Sequence, residues 1–415
     1  MSKPGPNASS GSQVRASSGW LNRSTIGLTL ASLFSDVSHE LGTAVLPALL
    51  LSLGAGSAAL GWIEGSADGL AALSKLWGGV MADRVERRKP LASIGYLVTA
   101  LGIAAIGVCS LWWQVLLCRV SAWIGRGSRT APRDVLVVEA TAPEMRGKAF
   151  GMERAGDALG AVIGPLLAIV LLARGVEERH VVFASLIPGL FAFLAITLLV
   201  SEKPNLASRR PPSLRGSFAA TGKSFHTYLA GILLFGCGDF SRTLLILYAT
   251  RSALGTLFSW SAASFAIALY VLHNAVSSAA ALPLGALSDR VGVRPVVVGG
   301  YIFAAAVTAS FGLLPATPAL LITLFVGSGL YIACEEVGEK TLAVELLPPD
   351  LRGTGMGLLA ATNGIGDFIS SAMVGTLWTI LPGHLWVGFL VAAVLQLAGA
   401  GVLAGLQRQT VFLTK

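Results

Sequence analysis

Ionisable residues interrupt the long apolar segments of this sequence, and these residues are the ones best placed to do chemistry. Asp36, His39 and Glu40 lie within one such segment, at spacings of three and four that place them on one face of a helix. Two neighbouring carboxylates beside an imidazole can exchange a proton near neutral pH, because burial and mutual repulsion disfavour the doubly charged pair. The three residues are therefore predicted to couple the protein to protons. The alternative is a polar patch near a helix end.

A second apolar segment carries a stripe of arginines, Arg126, Arg129 and Arg133. Arginine stays charged and offers a planar fork that fits a carboxylate or a phosphate. Arg126 falls near the middle of its segment, where an unpaired charge is costly. We expect Arg126 to bind a negative group of a substrate, with Arg129 also in the binding site. The alternative for Arg129 and Arg133 is that they reach the lipid headgroups.

The same pattern returns 206 residues later with the charges reversed. Glu335 and Glu339 occupy the positions equivalent to Arg129 and Arg133, and Lys340 is equivalent to Asp134. These complementary charges predict a salt-bridge gate formed by Arg133, Asp134, Glu339 and Lys340, with a fixed buried pair as the alternative. Asp36 is equivalent to Arg242, one turn from Asp239. Asp239, Arg242 and Glu335 are predicted to contact substrate.

Other ionisable or amide side chains inside apolar segments are expected mainly to join helices by hydrogen bonds. They are Glu64, Asp68, Lys75, Glu153, Arg154, Asp157, Asn274 and Asp367.

Composition places all of these residues in a membrane protein. The 415 residues are 54% hydrophobic and 13% charged, with a mean hydropathy of +0.72, whereas a soluble domain has about 25% charged residues. This balance excludes a soluble enzyme, a disordered regulator and a disulfide scaffold. The net charge of +8 does not indicate nucleic-acid binding, because the basic residues lie mostly in loops between apolar runs.

The apolar runs predict an all-α polytopic protein of twelve transmembrane helices in two pseudo-symmetric bundles of six. We expect a disordered tail at 1–22, a first bundle at 23–200, a basic linker at 201–225, a second bundle at 226–405 and a short tail at 406–415. With the N-terminus inside, the outer loops contain only Arg174, Arg179 and Arg251. Both ends of the chain are therefore predicted to be cytoplasmic.

Two motifs recur at the same offset and indicate a duplicated unit. Gly79-Val-Met-Ala-Asp83-Arg84 returns as Gly285-Ala-Leu-Ser-Asp289-Arg290, and Val138-Glu139 with Arg146-Gly147 returns as Val344-Glu345 with Arg352-Gly353. The first motif resembles the loop signature of the major facilitator superfamily. The resemblance implies that Asp83, Arg84, Asp289 and Arg290 act as a latch between the two halves. It also implies that spans 1, 4, 7 and 10 line a central cavity.

The fifth span is similar to the antiporter signature of that superfamily. Gly151, Gly160, Gly164 and Pro165 carry the likeness, with Ala168 in place of a final glycine. Small residues let helices approach closely, and a proline loosens the helical hydrogen-bond ladder. Arg119 matches the arginine that the superfamily has in span four.

These observations predict a secondary active transporter, driven by the proton gradient, that exports a small organic solute. The alternative within transport is proton-coupled uptake of an organic anion. A receptor or an intramembrane enzyme is a less favoured class, since the sequence has no zinc-peptidase motif, P-loop or nucleophile elbow. We expect no cofactor or metal, a monomer in the cell membrane, and contacts with substrate, protons and lipid but not nucleic acid.

Overall fold

Helices make up nearly all of the computed structural model, which describes residues 21–142, 145–202, 221–252, 261–347 and 351–406. The N-terminal half contains α1 (Arg23–Ser52), α2 (Ser57–Arg84), α3 (Lys89–Ile106), α4 (Trp112–Glu139), α5 (Arg146–Ala173), α6 (Glu178–Ala184) and α7 (Leu186–Leu199). The C-terminal half contains α8 (Lys223–Gly236), α9 (Arg242–Arg251), α10 (Ala262–Val291), α11 (Val293–Leu313), α12 (Pro318–Leu346), α13 (Arg352–Ile380) and α14 (Trp386–Ala404).

In the part of the chain that the structure describes, the helices form twelve crossings, six in each half, as the sequence predicted. The pair α6 and α7 forms the sixth crossing, and the pair α8 and α9 forms the seventh. Seven crossings are long and apolar enough to span a membrane by length and composition alone: α3, α5, the α6–α7 pair, α10, α11, α12 and α14. Large apolar side chains such as Leu282, Leu198 and Val394 are exposed on the outside of the bundle. This inverts the arrangement of a soluble protein and suits a surface in contact with lipid.

Twelve crossings bring the start of α1 and the end of α14 to the same end of the bundle, which we call the tail end. The opposite end is called the far end. The two halves meet along α2 and α13, and along α5 and α10. At Gly61 of α2 a side-chain Cβ would lie 2.2 Å from the carbonyl oxygen of Ser371 in α13. The backbones therefore touch, and only glycine fits this position.

The seventh crossing is broken, although its sequence predicted one continuous run over 226–250. The helix stops at Gly236 and resumes at Arg242, so that main-chain groups near the middle of the bundle lose their helical partners. Side chains of the last two helices replace those partners. Gln396 donates to the carbonyl of Gly238 (3.1 Å), Ser370 donates to that of Asp239 (3.0 Å), and Ser371 accepts from the Ser241 amide (2.9 Å). Such breaks are tolerated at membrane depth where protein partners satisfy the backbone.

Several expected segments fall partly outside the described residues. These are most of the tail at 1–22, most of the linker at 201–225 and most of the tail at 406–415. Asn22 caps α1 by accepting from the amides of Ser24 and Thr25, both at 3.0 Å, as N-cap residues do. The side chains of Asp83, Arg84 and Asp289 are likewise outside the described part, so their latch role stays a prediction. Arg290 is exposed in the last turn of α10.

Candidate functional site

A cavity of about 950 Å³ lies between the two halves. Its wall comes from α1, α2, α4 and α5 on one side and from α9, α10, α12, α13 and the α8–α9 break on the other. Among the described residues nine carboxylates line it: Asp36, Glu64, Asp68, Asp157, Asp239, Glu335, Glu336, Glu339 and Asp367. Six basic side chains line it: Lys75, Arg119, Arg126, Arg154, Arg242 and Lys340. If all fifteen of these side chains were ionised, the cavity wall would carry a net negative charge.

The far end of the cavity is closed by hydrogen bonds between the halves. Arg251 donates to the Ser57 hydroxyl at 2.7 Å, and the Ala58 amide donates to the Thr379 hydroxyl at 2.9 Å. Toward the tail end the cavity wall continues to Glu336 and Lys340, which are exposed. No hydrogen bond or ion pair between described residues joins α4 to the C-terminal half. Among the described residues the cavity is therefore closed at the far end and reaches exposed wall residues at the tail end.

The predicted proton-coupling residues of α1 lie together in the core of the protein. Asp36 forms an ion pair with Arg126 at 3.2 Å. Glu40 accepts a hydrogen bond from the Tyr270 hydroxyl of α10 at 2.9 Å. The His39 ring lies on the cavity wall, 3.3 Å from a Glu40 oxygen, with its centroid 4.5 Å from that of Trp123. Asp36 thus pairs with Arg126, the residue that the sequence predicted to bind a negative group of the substrate.

The glycine motif of α5 sets the position of these carboxylates. A Cβ on Gly160 would lie 2.8 Å from the Cβ of Asp36, and one on Gly164 would lie 2.8 Å from the Cβ of Glu40. The backbone of α5 therefore packs directly against the turns of α1 that carry the two acids, next to Pro165. Gly151 is different, because a Cβ there would meet no atom within 4 Å. The expected packing role of Gly151 is wrong for this conformation.

Arg119 and Glu64 form the most deeply buried ion pair of the cavity wall. The Arg119 Nε is 2.9 Å from Glu64 Oε1, and its Nη2 is 3.0 Å from Glu64 Oε2. Arg119 also donates to the Thr43 hydroxyl at 3.0 Å and stacks on Trp123, 3.6 Å from the ring centroid. Only 1% of Arg119 is exposed. An ion pair and hydrogen bond with partners inside the protein hold α2 against α4.

Arg129 and Arg133 do not reach the cavity. Arg129 donates to Ser35 at 2.6 Å and stacks on Tyr96, while Arg133 pairs with Glu153 at 2.6 Å. Both are buried within the N-terminal half, so Arg129, which was expected in the binding site, does not line the cavity in this conformation. The reason is that α1, α3 and α5 cover this part of α4 and supply partners. Asp134 is 3.0 Å from Arg133, within the same helix.

The glutamates expected to face those arginines are held inside the C-terminal half. Glu339 accepts hydrogen bonds from the Tyr301 hydroxyl and from the Asn363 amide, the latter at 2.7 Å. Lys340 is exposed on the cavity wall. The predicted gate pairs of Arg133 with Glu339 and of Asp134 with Lys340 are therefore not formed in this conformation. Whether they form when the tail end closes stays a prediction.

The substrate residues predicted in the C-terminal half do converge on the cavity. Arg242 pairs with Asp239 at 3.0 Å, and Asp239 also accepts from the Tyr331 hydroxyl at 3.3 Å. Both lie at the break in the seventh crossing. Glu335 lies on the same wall, and one of its carboxylate oxygens is buried without a hydrogen-bond partner. This part of the wall is polar and has a carboxylate oxygen that could accept a hydrogen bond from a ligand.

The residues expected to join helices mostly do so. Trp123 donates to Asp68 at 2.8 Å, and Asn274 donates to the carbonyl of Ala161 in the opposite half at 3.2 Å. Arg154 lies 3.8 Å from Asp157 within α5. Lys75 and Asp367 also line the cavity.

Comparison with known proteins places this arrangement in a family. The sequence profile described as Major Facilitator Superfamily matches residues 28–371 and 229–410. The chain belongs to the major facilitator superfamily. It is therefore a multi-pass membrane protein of the cell membrane and a transporter of small molecules, not an enzyme.

Its similarity to individual members is moderate. An uncharacterised MFS-type transporter of Methanocaldococcus jannaschii is 28% identical over 87% of this chain and 90% of its own length. The multidrug resistance protein MdtH of Aeromonas hydrophila is 27% identical over 80% of this chain and 84% of its own. A solved structure of a mutant of the nucleoside transporter NupG superimposes with a TM-score of 0.79 at 13% identity, over 92% of this chain and all of that one. This likeness concerns the fold alone.

Proposed function

We propose that this transporter is a proton-coupled exporter, an antiporter that exchanges protons for a small organic solute. The observation that carries the proposal is the excess of carboxylates over basic side chains on the cavity wall. Like charges crowded into a poorly solvated cavity favour the uptake of protons. A proton and a polar solute that compete for the same carboxylates are bound in turn, which is the requirement for exchange. The MdtH relative, named a multidrug resistance protein, is consistent with export.

Asp36 and Glu40 are the carboxylates to which we assign proton coupling, with His39 adjusting their affinity. Both are more than nine-tenths buried and are held against α5. Asp36 pairs with Arg126, a cavity residue that a solute could bind instead. Glu40 accepts a hydrogen bond from Tyr270, which belongs to the opposite half. Protonation of either acid therefore changes an interaction at the centre of the protein.

The test separates proton coupling from binding. We expect Asp36→Asn and Glu40→Gln to abolish solute accumulation driven by a pH gradient in inside-out vesicles, and to leave solute exchange at equilibrium intact. Glu177→Gln, a carboxylate change in an exposed loop at the far end, is the matched control and should transport normally. A double variant of Asp36 and Glu40 that accumulates solute like the wild type would remove α1 from the coupling mechanism.

Uptake of an organic anion together with protons is the second candidate. The Arg126 side chain supports it, since it is 32% exposed and is neutralised by Asp36 alone among the ion pairs of the described residues. A proton on Asp36 would weaken that pair and leave the guanidinium for an anion. Proton and anion would then bind together, as symport requires. Solute entry into right-side-out vesicles driven by an inward proton gradient would favour this candidate over export.

A further inference from the structure

Five hydrogen bonds link the two halves in the described part of the chain. Three involve no carboxylate: Arg251 with Ser57, Ala58 with Thr379, and Asn274 with Ala161. The other two end on glutamates of the N-terminal half. Ser241 donates to Glu64 at 3.2 Å, and Tyr270 donates to Glu40 at 2.9 Å. Only these two can change strength when a carboxylate gains or loses a proton.

The two glutamates differ in their charged partners. Glu64 is paired with Arg119, whose Nη2 donates to it at 3.0 Å and whose Nε lies 2.9 Å from its other oxygen. Glu40 forms no ion pair with a described lysine or arginine within 4 Å, and a ring nitrogen of His39 lies 3.3 Å from it. Of the links between the halves, the Tyr270–Glu40 hydrogen bond is thus the one that a change of pH can act on.

The groups around this hydrogen bond come from four helices. Asp36 and His39 flank Glu40 on α1, and Arg119 and Arg126 of α4 act on it through their charge. From α10, His273 stacks near Tyr270, with ring centroids 6.2 Å apart, and Arg242 of α9 acts on Tyr270. From α5, the Gly164 backbone packs against the Glu40 Cβ. Glu40 thus lies near two arginines of α4 and accepts the Tyr270 hydroxyl of α10.

We infer that Tyr270 and Glu40 form a proton-sensitive latch, which holds the far end closed while Glu40 is ionised and releases it when Glu40 is protonated. A hydrogen bond to an ionised carboxylate is about twice as strong as one to a neutral acceptor. The latch joins α1 to α10 on the far-end side of α10, where this structure is closed. This inference rests on the proposed proton coupling and adds the element that transmits it.

The latch has a consequence for exchange. An antiporter wastes its gradient if the empty, deprotonated protein can reorient, because protons then cross without solute. A latch that is strongest in that state keeps the cavity open toward the tail end until a solute in the cavity, whose wall includes Tyr270, takes the Tyr270 hydroxyl from Glu40. A symporter has the opposite need, since its empty, deprotonated form must reorient freely. The latch therefore favours antiport over symport.

The experiment uses the full chain in proteoliposomes, with spin labels at Ser110 and Gly383 in far-end loops of the two halves and the native cysteines replaced. In the wild type we expect the far-end distance to lengthen as pH falls, because Glu40 becomes protonated. In Tyr270→Phe the far end should open at high pH as well, and protons should leak without solute about tenfold faster or more, as loss of a charge-assisted hydrogen bond implies. Glu40→Gln should open the far end at every pH in the same way, without the proton leak because it removes the carboxylate that binds the proton, and its distance measurement serves if Tyr270→Phe does not fold.

Tyr248→Phe is the matched control. It removes a tyrosine hydroxyl that donates to the Phe311 carbonyl within the C-terminal half, and it should leave the pH response and the leak unchanged. A Tyr270→Phe variant with the wild-type pH response and no leak would overturn the latch while proton coupling stands. A wild type whose far-end distance does not change with pH would overturn the latch, and a wild type that accumulates no solute in response to a pH gradient would overturn the coupling as well.

Discussion

Arg126 is the side chain that tests whether the substrate carries a negative charge. It projects into the cavity with 32% of its side chain exposed and one carboxylate partner. If it binds a negative group, Arg126→Gln should weaken the binding of anionic ligands about tenfold or more, since hydrogen bonds to charged groups contribute about 1.5–3 kcal/mol. Arg126→Lys keeps the charge without the fork and should retain weak binding. Ligand-induced thermal stabilisation of the purified variants measures both.

The control for this prediction is Arg154→Gln. Arg154 also lines the cavity, but 68% of its side chain is exposed and its carboxylate neighbours are 3.8–3.9 Å away. It should bind anions like the wild type. Normal binding and transport by Arg126→Gln would make Arg126 structural, and a neutral or cationic solute would then be favoured.

Some individual contacts could be predicted from the sequence and others could not. The pairing of Arg126 with Asp36 was foreseeable, because a mid-membrane guanidinium requires a counter-charge and α1 offers acids on one face. The partners Tyr270, Tyr301 and Tyr331 were not foreseeable. A tyrosine within an apolar run looks the same whether it only packs or also donates a hydrogen bond to a carboxylate. Arg129 was misassigned because periodicity defines a helix face but not which helix covers that face at each depth.

The buried ion pair between Arg133 of α4 and Glu153 of α5 gives the second prediction. Arg133 lies 2.6 Å from Glu153, so Arg133→Glu alone places two buried carboxylates together. This change should lower the free energy of unfolding by about 3–5 kcal/mol. The added change Glu153→Arg should recover part of the thermal stability and transport. The combination of Arg133→Glu with Glu339→Arg should leave the thermal stability low, because Glu339 does not contact Arg133 in this conformation. If transport returns only in the Glu339 combination, the gate predicted from the sequence repeat forms in another conformation.

The fit of α5 against α1 gives the third prediction. Gly164→Ala adds a Cβ 2.8 Å from the Glu40 Cβ and 2.8 Å from the Val37 carbonyl oxygen, and overpacking of this kind costs about 1–3 kcal/mol. The melting temperature should fall, and proton-driven accumulation should fall further than equilibrium exchange because Glu40 is displaced. Gly151→Ala in the same helix meets no atom within 4 Å. It should be neutral or slightly stabilising, since alanine is the better helix former.

The number of crossings was predictable from apolar runs, but the break in the seventh was not. Residues 237–241 read Cys-Gly-Asp-Phe-Ser, and a single glycine within an apolar helix is common in membranes. The break depends on Gln396, Ser370 and Ser371 of distant helices, which replace the missing main-chain partners. A tertiary cause of this kind has no local sequence signal.

Hydropathy across the whole molecule reflects the position of the cavity. The crossings that fall short of a simple apolar span are α1, α2, α4, the α8–α9 pair and α13, and all five contribute polar side chains to the cavity wall. Their low hydropathy has a physical cause, because a helix that faces water and charge at its centre cannot be apolar all round. The sequence repeat defined two equivalent halves, but it could not define which end of the cavity is open, since one sequence must support both states.

The orientation of the molecule in the membrane gives the last prediction. Lys340 lies exposed on the cavity wall toward the tail end, and Gly383 lies in a far-end loop with open space around it. Lysine and arginine are enriched in loops on the cytoplasmic side of membrane proteins, and this bias assigns the tail end to the cytoplasm. With the native cysteines replaced, Lys340→Cys should react with a membrane-impermeant maleimide in inside-out vesicles. Gly383→Cys should react in intact cells. The reverse pattern would invert the orientation, and labelling of Lys340→Cys from both sides would show that the far end does not stay closed.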